Sequence, residues 1–222
     1  HLSQDRREQL RWLAVFMVLV NVIVLLVWLG NIFMGARLRF NNLYFVEASV
    51  QEDIVIVAID NQTLNRYGST PSEWSRQVMA TFLERMQDGR PRVVALDLLF
   101  SDAEEEDEAL LAALRGLRQT ETRTRLVVAG AGVDVMAVDS PMATLNFQNE
   151  LPLIDDLATL VDYIGFINAF ADTDGVVRRQ PSRIQVNNAP PGLSFSLATY
   201  LAYLRIPASA ISETLVREER TW

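Results

Sequence analysis

The sequence contains no cysteine and no lysine, and it has a single histidine, His1, at its first position. The absence of cysteine excludes disulfides, thiolate nucleophiles, iron–sulfur clusters and zinc sites built on cysteine. One histidine cannot form a Ser-His-Asp triad or a multi-histidine metal centre. Without lysine there is no Walker A phosphate loop and no Schiff-base chemistry. These 222 residues therefore contain no recognisable catalytic motif, and we expect no cofactor and no metal ion.

The charged side chains are unevenly distributed along the chain. Of 20 arginines and 28 acidic residues in total, 15 arginines and 26 acidic residues lie in residues 40–222, which gives that part a net charge of −11. A surface of this sign repels nucleic acid and anionic lipid headgroups, so we expect neither as a partner. The length suits one domain with a substantial core and an appendage.

A long hydrophobic run near the N-terminus is typical of a membrane span. Residues Trp12 to Met34 include no charged side chain, and a helix of that length crosses about 30 Å of hydrocarbon. We predict a cytoplasmic segment over residues 1–11, a transmembrane helix over residues 12–35 and a juxtamembrane linker over residues 36–52. Three arginines precede the run and two follow it. This excess of one arginine on the N-terminal side favours a cytoplasmic N-terminus.

One polar side chain, Asn21, lies near the middle of the hydrophobic run. An amide at this depth prefers a hydrogen-bond partner, and the same residue of a second copy would supply one worth about 1 kcal/mol. An asparagine tolerated without a partner fits the sequence equally well. The run is therefore compatible with a homodimer and with an isolated span.

The segment that follows the linker has the pattern of an α/β fold. Apolar, β-branched stretches at residues 53–60, 92–97 and 126–130 predict strands buried on both faces. Apolar residues recur every four positions from Trp74 to Met86 and predict one helix, and Ser101 or Asp102 can cap a second, acidic helix. We therefore predict a parallel βαβαβ core with right-handed crossovers.

The second half of the chain has a different pattern. We predict a β-hairpin whose strands cover residues 163–170 and 176–186, and a short helix over residues 194–204. Residues 131–150 carry no regular pattern, and we predict that they are irregular. The architecture we expect is thus the parallel core with an additional hairpin and short helices, preceded by one transmembrane helix.

The turn of the predicted hairpin has two alternative interpretations. Asp172, Asp174 and Gly175 resemble the opening of a calcium loop, but the remaining ligands are missing. A type I′ turn built on Asp-Gly explains the same residues with fewer assumptions. We assign these residues a structural role, in which Arg178 is available to pair with one of the two carboxylates.

Three acidic residues are candidates for a binding site. Asp60 and Asp97 each close a predicted parallel strand, and Asp102 follows shortly after the second. Because ligands in open α/β sheets bind beyond the carboxyl ends of the strands, the three carboxylates could hold a cation or an amine. Asp60 and Asp97 could alternatively serve an acid-dependent hydrolase. The other alternative is that all three carboxylates cap the helices and turns that follow the strands.

Several segments, taken in order, are similar to the CHASE2 sensory domain. They are VAIDNQTLNRYG, RVVALDLLFSD and GFINAFADTDGVVRRQP, and the similarity runs from about residue 53 to the end. Where the family tends to have a Trp-Pro-Trp-Pro-Arg-like stretch, only Trp74 and Arg76 match, and the resemblance makes them candidate ligand-binding residues. We therefore expect residues 53–222 to be a CHASE2-like periplasmic domain, incomplete at its C-terminus because the closing strands and returning helices are missing.

The resemblance implies an extracytoplasmic sensor in the inner membrane of a bacterium. Such a sensor would bind an unidentified small ligand and relay the signal through the transmembrane helix, as a homodimer or within a membrane complex. The output module, most often a nucleotide cyclase and otherwise a kinase, would be another part of the protein. The alternative is an accessory subunit that senses nothing and docks to a larger membrane complex.

Overall fold

The computed structural model describes residues 4–29, 40, 43, 51–68, 70–71, 74–121, 123–139, 144–172, 175–178, 180–187, 189–208 and 210. Contacts divide the chain into two compact units, His1–Val57 and Ala58–Trp222. Every strand that the structure describes, and every candidate ligand-binding residue, lies in the second unit.

The first unit contains a long apolar helix, α1 (Gln4–Leu29). Its stretch Arg6–Trp28 is long and apolar enough to cross a membrane. Residues 30–35 of the predicted span lie outside the described residues. Within the helix, Nδ2 of Asn21 donates a hydrogen bond to the carbonyl of Met17 at 2.8 Å, so one of its donors is used locally.

The described part of the second unit is a mixed α/β fold with one seven-stranded sheet. Its strands are β1 (Val93–Leu96), β2 (Arg125–Gly130), β3 (Gly132–Asp139), β4 (Thr144–Glu150), β5 (Tyr163–Phe166), β6 (Arg183–Val186) and β7 (Gly192–Ser194). Its helices are α2 (Asn61–Tyr67), α3 (Arg76–Gly89), α4 (Asp107–Arg118), α5 (Leu157–Leu160) and α6 (Phe195–Leu204). The strand order is β1-β2-β5-β7-β6-β4-β3, so β1 and β3 form the two edges.

The predicted parallel core is present, but one of its strands is a different segment. β1, β2 and β5 are hydrogen-bonded in parallel in that order, with α4 and α5 in the two connections. The predictions of strands near residues 92–97 and 126–130 are therefore confirmed, as are α3 and α6. The three strands of the βαβαβ unit are therefore β1, β2 and β5, and residues 53–60 are not among them.

The prediction of a buried strand over residues 53–60 is wrong. These residues are assigned to no strand, and the side chains from Ile54 to Val57 are 59–85% exposed. β-branched residues favour an extended backbone, but burial requires a neighbouring strand and a covering layer. The composition of the run does not specify either of these.

The sheet is covered by helices on both faces around β2. Leu126 and Val128 point into a core cluster with α3, α4 and α5, whereas Val127 packs in a second cluster with α6. This alternation follows from the two-residue period of a strand. Gly165 in β5 allows α6 to approach closely, because a Cβ there would lie 2.6 Å from the Cα of Phe195.

The predicted hairpin is also corrected by the structure. β5 and β6 are not neighbours, because β7 lies between them. The hairpin is instead formed by β3 and β4, which pair antiparallel with an irregularity between Val135 and Ala137, so residues 131–150 are not irregular. The sequence pattern within residues 163–186 does indicate strands. The strand that lies between them, β7, comes later in the chain, and the spacing of residues within a strand does not identify its neighbour.

The acidic helix begins later than the sequence predicts. α4 starts at Asp107 with Glu106 as its N-cap residue, so neither Ser101 nor Asp102 caps it. The carbonyl of Asp102 instead accepts a hydrogen bond from Arg76 at 3.0 Å. Within the same segment, the backbone N of Glu104 donates to Asp107 Oδ2 at 2.9 Å, a local contact that precedes the helix.

Candidate functional site

The three candidate carboxylates are exposed. Asp60 is the N-cap of α2, Asp97 directly follows β1, and Asp102 accepts a hydrogen bond from Ser101 Oγ at 3.2 Å. In the described part of the chain, no group of three or more Asp, Glu or His side chains is placed to hold a metal ion. The structure therefore does not bring Asp60, Asp97 and Asp102 together as a cation site.

Asp60 has a clear structural partner in Thr63. Its Oδ1 accepts hydrogen bonds from the backbone N of Thr63 at 2.9 Å and from Thr63 Oγ1 at 2.8 Å. The backbone hydrogen bond, followed by the hydroxyl, lowers the pKa of the Asp60 carboxyl below its ordinary value of 3.8. These contacts support the capping alternative for this residue.

We expect Asp60→Ala to lower the melting temperature of the chain at pH 7, because it removes the acceptor for the first turn of α2. Asp60→Asn keeps an oxygen acceptor and is the matched control. The pKa of Asp60 is lower in the folded state than in the unfolded state. The ionised carboxylate therefore stabilises the fold above the unfolded pKa of about 3.9, and this stabilisation is lost as the pH falls through the folded pKa. Thermal scans from pH 7 to pH 3 check this, and wild type and Asp60→Asn should converge at the acid end.

Equal melting temperatures for wild type and Asp60→Ala at pH 7 would contradict this assignment. A difference between wild type and Asp60→Asn that grew towards low pH would contradict the sign of the pKa shift.

Arg76 is the centre of a buried ionic network. Its side chain is 8% exposed, and it pairs with Glu104 at 2.9 Å and with Asp107 at 3.1 Å. It also donates to the carbonyl of Asp102, and its guanidinium lies 5.1 Å from the ring centroid of Phe100. These contacts join the start of α3 to the start of α4 and occupy the guanidinium on several sides.

Trp74, the other residue carried over from the resemblance, is also engaged within the domain. Its indole Nε1 donates to the carbonyl of Gly68 at 3.1 Å, and its ring centroid lies 5.6 Å from that of Tyr67. The side chain is 7% exposed. Trp74 and Arg76 therefore both have partners within the domain, and their role in ligand binding stays a prediction.

The segment around Asp172 forms a local turn. The backbone N of Gly175 donates to the carbonyl of Asp172 at 2.9 Å, and Gly175 has a φ of +80°, a conformation that favours glycine. Arg178 pairs with Asp172 at 3.1 Å, and both side chains are nearly buried. Asp174 lies outside the described residues. This geometry agrees with a structural role.

Two clefts lie at opposite ends of the parallel strands. The smaller, about 280 Å³, adjoins Gly130 and Phe166 at the carboxyl ends of β2 and β5, where ligands of α/β sheets commonly bind. The larger, about 490 Å³, lies where β2 begins, and we call it the arginine cleft. It is lined by Arg118, Gln119, Thr120, Arg123, Thr124, Arg125 and Asp162.

The arginine cleft is held by contacts to the backbone and to Asp162. Arg118 Nη1 donates to the carbonyl of Leu160, and Arg125 Nη1 donates to Asp162 Oδ1. Asp162 Oδ2 accepts from the backbone N of Leu126 at 2.9 Å. The cleft is therefore built around one carboxylate that already has several donors.

The sheet residue beside Asp162 links the cleft to the end of α6. The Tyr163 hydroxyl donates to the carbonyl of Ile206. Burial, followed by the negative charge of Asp162, raises the pKa of Tyr163 above its ordinary value of 10.0. The hydroxyl therefore stays protonated near neutral pH and keeps this hydrogen bond.

The arginine cleft was not identified from the sequence. The segment from Arg118 to Arg125 has the composition of a polar linker, and it carries three arginines within eight positions. In a region with a net charge of −11, this local excess of positive charge is the signal that could have indicated the cleft.

Comparison with known protein families agrees with the resemblance seen in the sequence. The family model described as the CHASE2 domain matches residues 14–221, which is nearly the whole chain. No curated protein and no solved structure matches the chain. The match begins within α1 and includes every strand of the sheet.

Proposed function

Because this chain belongs to the CHASE2 family of extracellular sensory domains, we propose that it is the sensor part of a bacterial signal-transduction receptor. The observation that carries this proposal is the family match over residues 14–221 together with one helix able to cross a membrane. The second unit would lie in the periplasm, and α1 would anchor it in the inner membrane.

A sensor of this kind works by changing the balance of two conformations. A stimulus shifts that balance only if it binds one conformation more tightly than the other. A second copy provides a helix against which α1 can move, and Asn21 retains an amide oxygen for a partner because only its Nδ2 is used by Met17. We therefore propose a homodimer that signals to a nucleotide cyclase or, failing that, a kinase.

The location of the domain can be tested by labelling, because the chain has no cysteine of its own. Asp97→Cys places a thiol at an exposed position after β1, and Glu8→Cys places one near the start of α1. In intact spheroplasts, we expect a membrane-impermeant maleimide to label Asp97→Cys and to label Glu8→Cys only after permeabilisation. The cysteine-free wild type is the control.

The reverse labelling pattern would overturn an extracytoplasmic sensor. Equal labelling of both variants in intact cells would show that the N-terminus does not lie across the membrane from the domain, which contradicts anchoring by a single span.

The output module can be tested by the mass of the single, denatured polypeptide taken from its native membrane. A mass well above 25.0 kDa, with a remainder of cyclase or kinase size, supports a receptor. A mass near 25.0 kDa together with a stoichiometric partner that survives gentle detergent would favour the accessory subunit. In a separate measurement of the native mass in detergent, a dimer that becomes monomeric on Asn21→Leu supports pairing through Asn21, and a dimer unaffected by it contradicts that pairing.

A further inference from the structure

The arginine cleft has the opposite charge to the domain that carries it. Three arginines and one carboxylate line it, which gives the lining a formal charge of +2, whereas residues 40–222 together carry −11. Exposed charges separated by more than about 10 Å are largely screened at ordinary salt concentrations. A ligand in the cleft therefore interacts mainly with these arginines and not with the acidic surface elsewhere.

The arginines are held in place by groups that do not neutralise them all. Asp162 is the carboxylate of the lining, and it pairs with Arg125 and, at 4.0 Å, with Arg118. Arg123 is exposed and has no ion pair among the described residues. The buried Nε of Arg125 has no hydrogen-bond acceptor within the described part of the structure.

The loop that carries Arg123 is fixed on both sides. The backbone N of Arg123 donates to the carbonyl of Thr120 at 2.9 Å, and the hydroxyl of Thr124 donates to the carbonyl of Pro91 at 2.8 Å. Thr124 is 2% exposed, so this anchor is buried. Backbone groups beside Arg123 that are already held lose little conformational entropy when a ligand binds.

The size of the cleft restricts the class of ligand. Its volume of about 490 Å³ is typical of sites for small organic molecules, and it is much larger than a single inorganic ion needs. Guanidinium groups bind carboxylates through paired N–H donors. A polyanion such as nucleic acid is disfavoured, because most of its charge would lie against the acidic surface outside the cleft.

We propose that the arginine cleft binds a small organic di- or tricarboxylate, and that this anion is the stimulus of the sensor. The second part rests on the proposed function, whereas binding itself does not. One carboxylate pairs with Arg123, and another lies near Arg118 and Arg125, where it completes the neutralisation that Asp162 begins.

The test is a calorimetric titration of the full 222-residue chain in nanodiscs of uncharged lipid. Citrate, inorganic phosphate and sodium chloride are titrated separately at constant ionic strength. Arg123→Gln is the test variant, because this side chain is exposed and has no described ion pair. Arg115→Gln is the matched control, because it makes the same change on α4 at a residue that pairs with Glu108 and does not line the cleft.

We expect citrate to bind saturably to wild type and phosphate to bind at least tenfold more weakly. Arg123→Gln removes one charge-assisted contact and should lower the affinity for citrate by about tenfold or more. Arg115→Gln should stay within about twofold of wild type, because an exposed charge outside the site contributes little. The melting temperature of each variant checks that it is folded.

Three results would overturn the proposal. The first is no citrate binding beyond that of chloride, and the second is equal affinity for phosphate and citrate, which would indicate selection by charge alone. The third is equal weakening by Arg123→Gln and Arg115→Gln. These results leave the labelling pattern untouched, so failure of the anion site and failure of the sensor assignment are distinguishable.

Discussion

Replacement of Arg76 by alanine should lower the free energy of unfolding by about 3–5 kcal/mol, the range observed when one partner of a buried ion pair is removed. Arg76 is 8% exposed and faces Glu104 and Asp107, which are 31% and 18% exposed. Without the guanidinium, the two carboxylates would remain close together and only partly solvated. The carbonyl of Asp102 would also lose its donor. Chemical denaturation of the full chain measures the change.

Arg115→Ala is the matched control for this effect. Arg115 also pairs with a carboxylate of α4, Glu108, but the two side chains are 39% and 76% exposed. An exposed pair contributes about 0–1 kcal/mol, so the control should change stability little. Adding Asp107→Asn to Arg76→Ala should recover part of the loss, because it removes a charge left without its partner. Equal losses for Arg76→Ala and Arg115→Ala would show that the buried network does not stabilise the junction of α3 and α4.

Leu114→Ala should also lower the free energy of unfolding by about 3–5 kcal/mol, because it removes buried methyl groups and leaves a cavity. Leu114 is fully buried in the cluster that joins α3, α4 and the parallel strands. The comparison is Leu204→Ala at the end of α6, where the side chain is 42% exposed and the loss should be below about 1.5 kcal/mol. The same denaturation experiment measures both variants.

A loss below about 1 kcal/mol for Leu114→Ala would mean that the core around α4 collapses to fill the space or is loosely packed. A similar loss for Leu204→Ala would mean that the end of α6 is buried in the intact protein. Because α6 covers the opposite face of β2 from α4, the two variants report on different layers of the sheet.

The candidate site was only partly predictable from the sequence. Asp60 was predicted to close a strand, with capping as the alternative, and the structure places it as the N-cap of α2. Trp74 and Arg76 were selected through the resemblance, and their burial and internal partners became evident only in the fold. The arginine cleft requires Asp162, which is 37 residues from Arg125, and no local pattern connects the two.

Local patterns in the sequence were sufficient to identify several elements. Uncharged residues from Trp12 onward indicated α1, four-residue spacing indicated α3, and apolar runs indicated β1 and β2. The spacing of apolar residues along one segment shows which of its faces is buried and which contacts water. A single stretch of chain is therefore enough to predict such an element. The CHASE2 family was likewise recognisable from segments in a fixed order.

Which elements are neighbours became evident from the fold and not from local patterns. The tertiary structure excluded residues 53–60 from the sheet, placed β7 between β5 and β6, and moved the start of α4 to Asp107. The first two outcomes each depend on a partner distant in sequence: a strand edge or an intervening strand. Hydrogen bonds between strands and buried ion pairs join such segments, and the periodicity of either segment alone does not specify its partner.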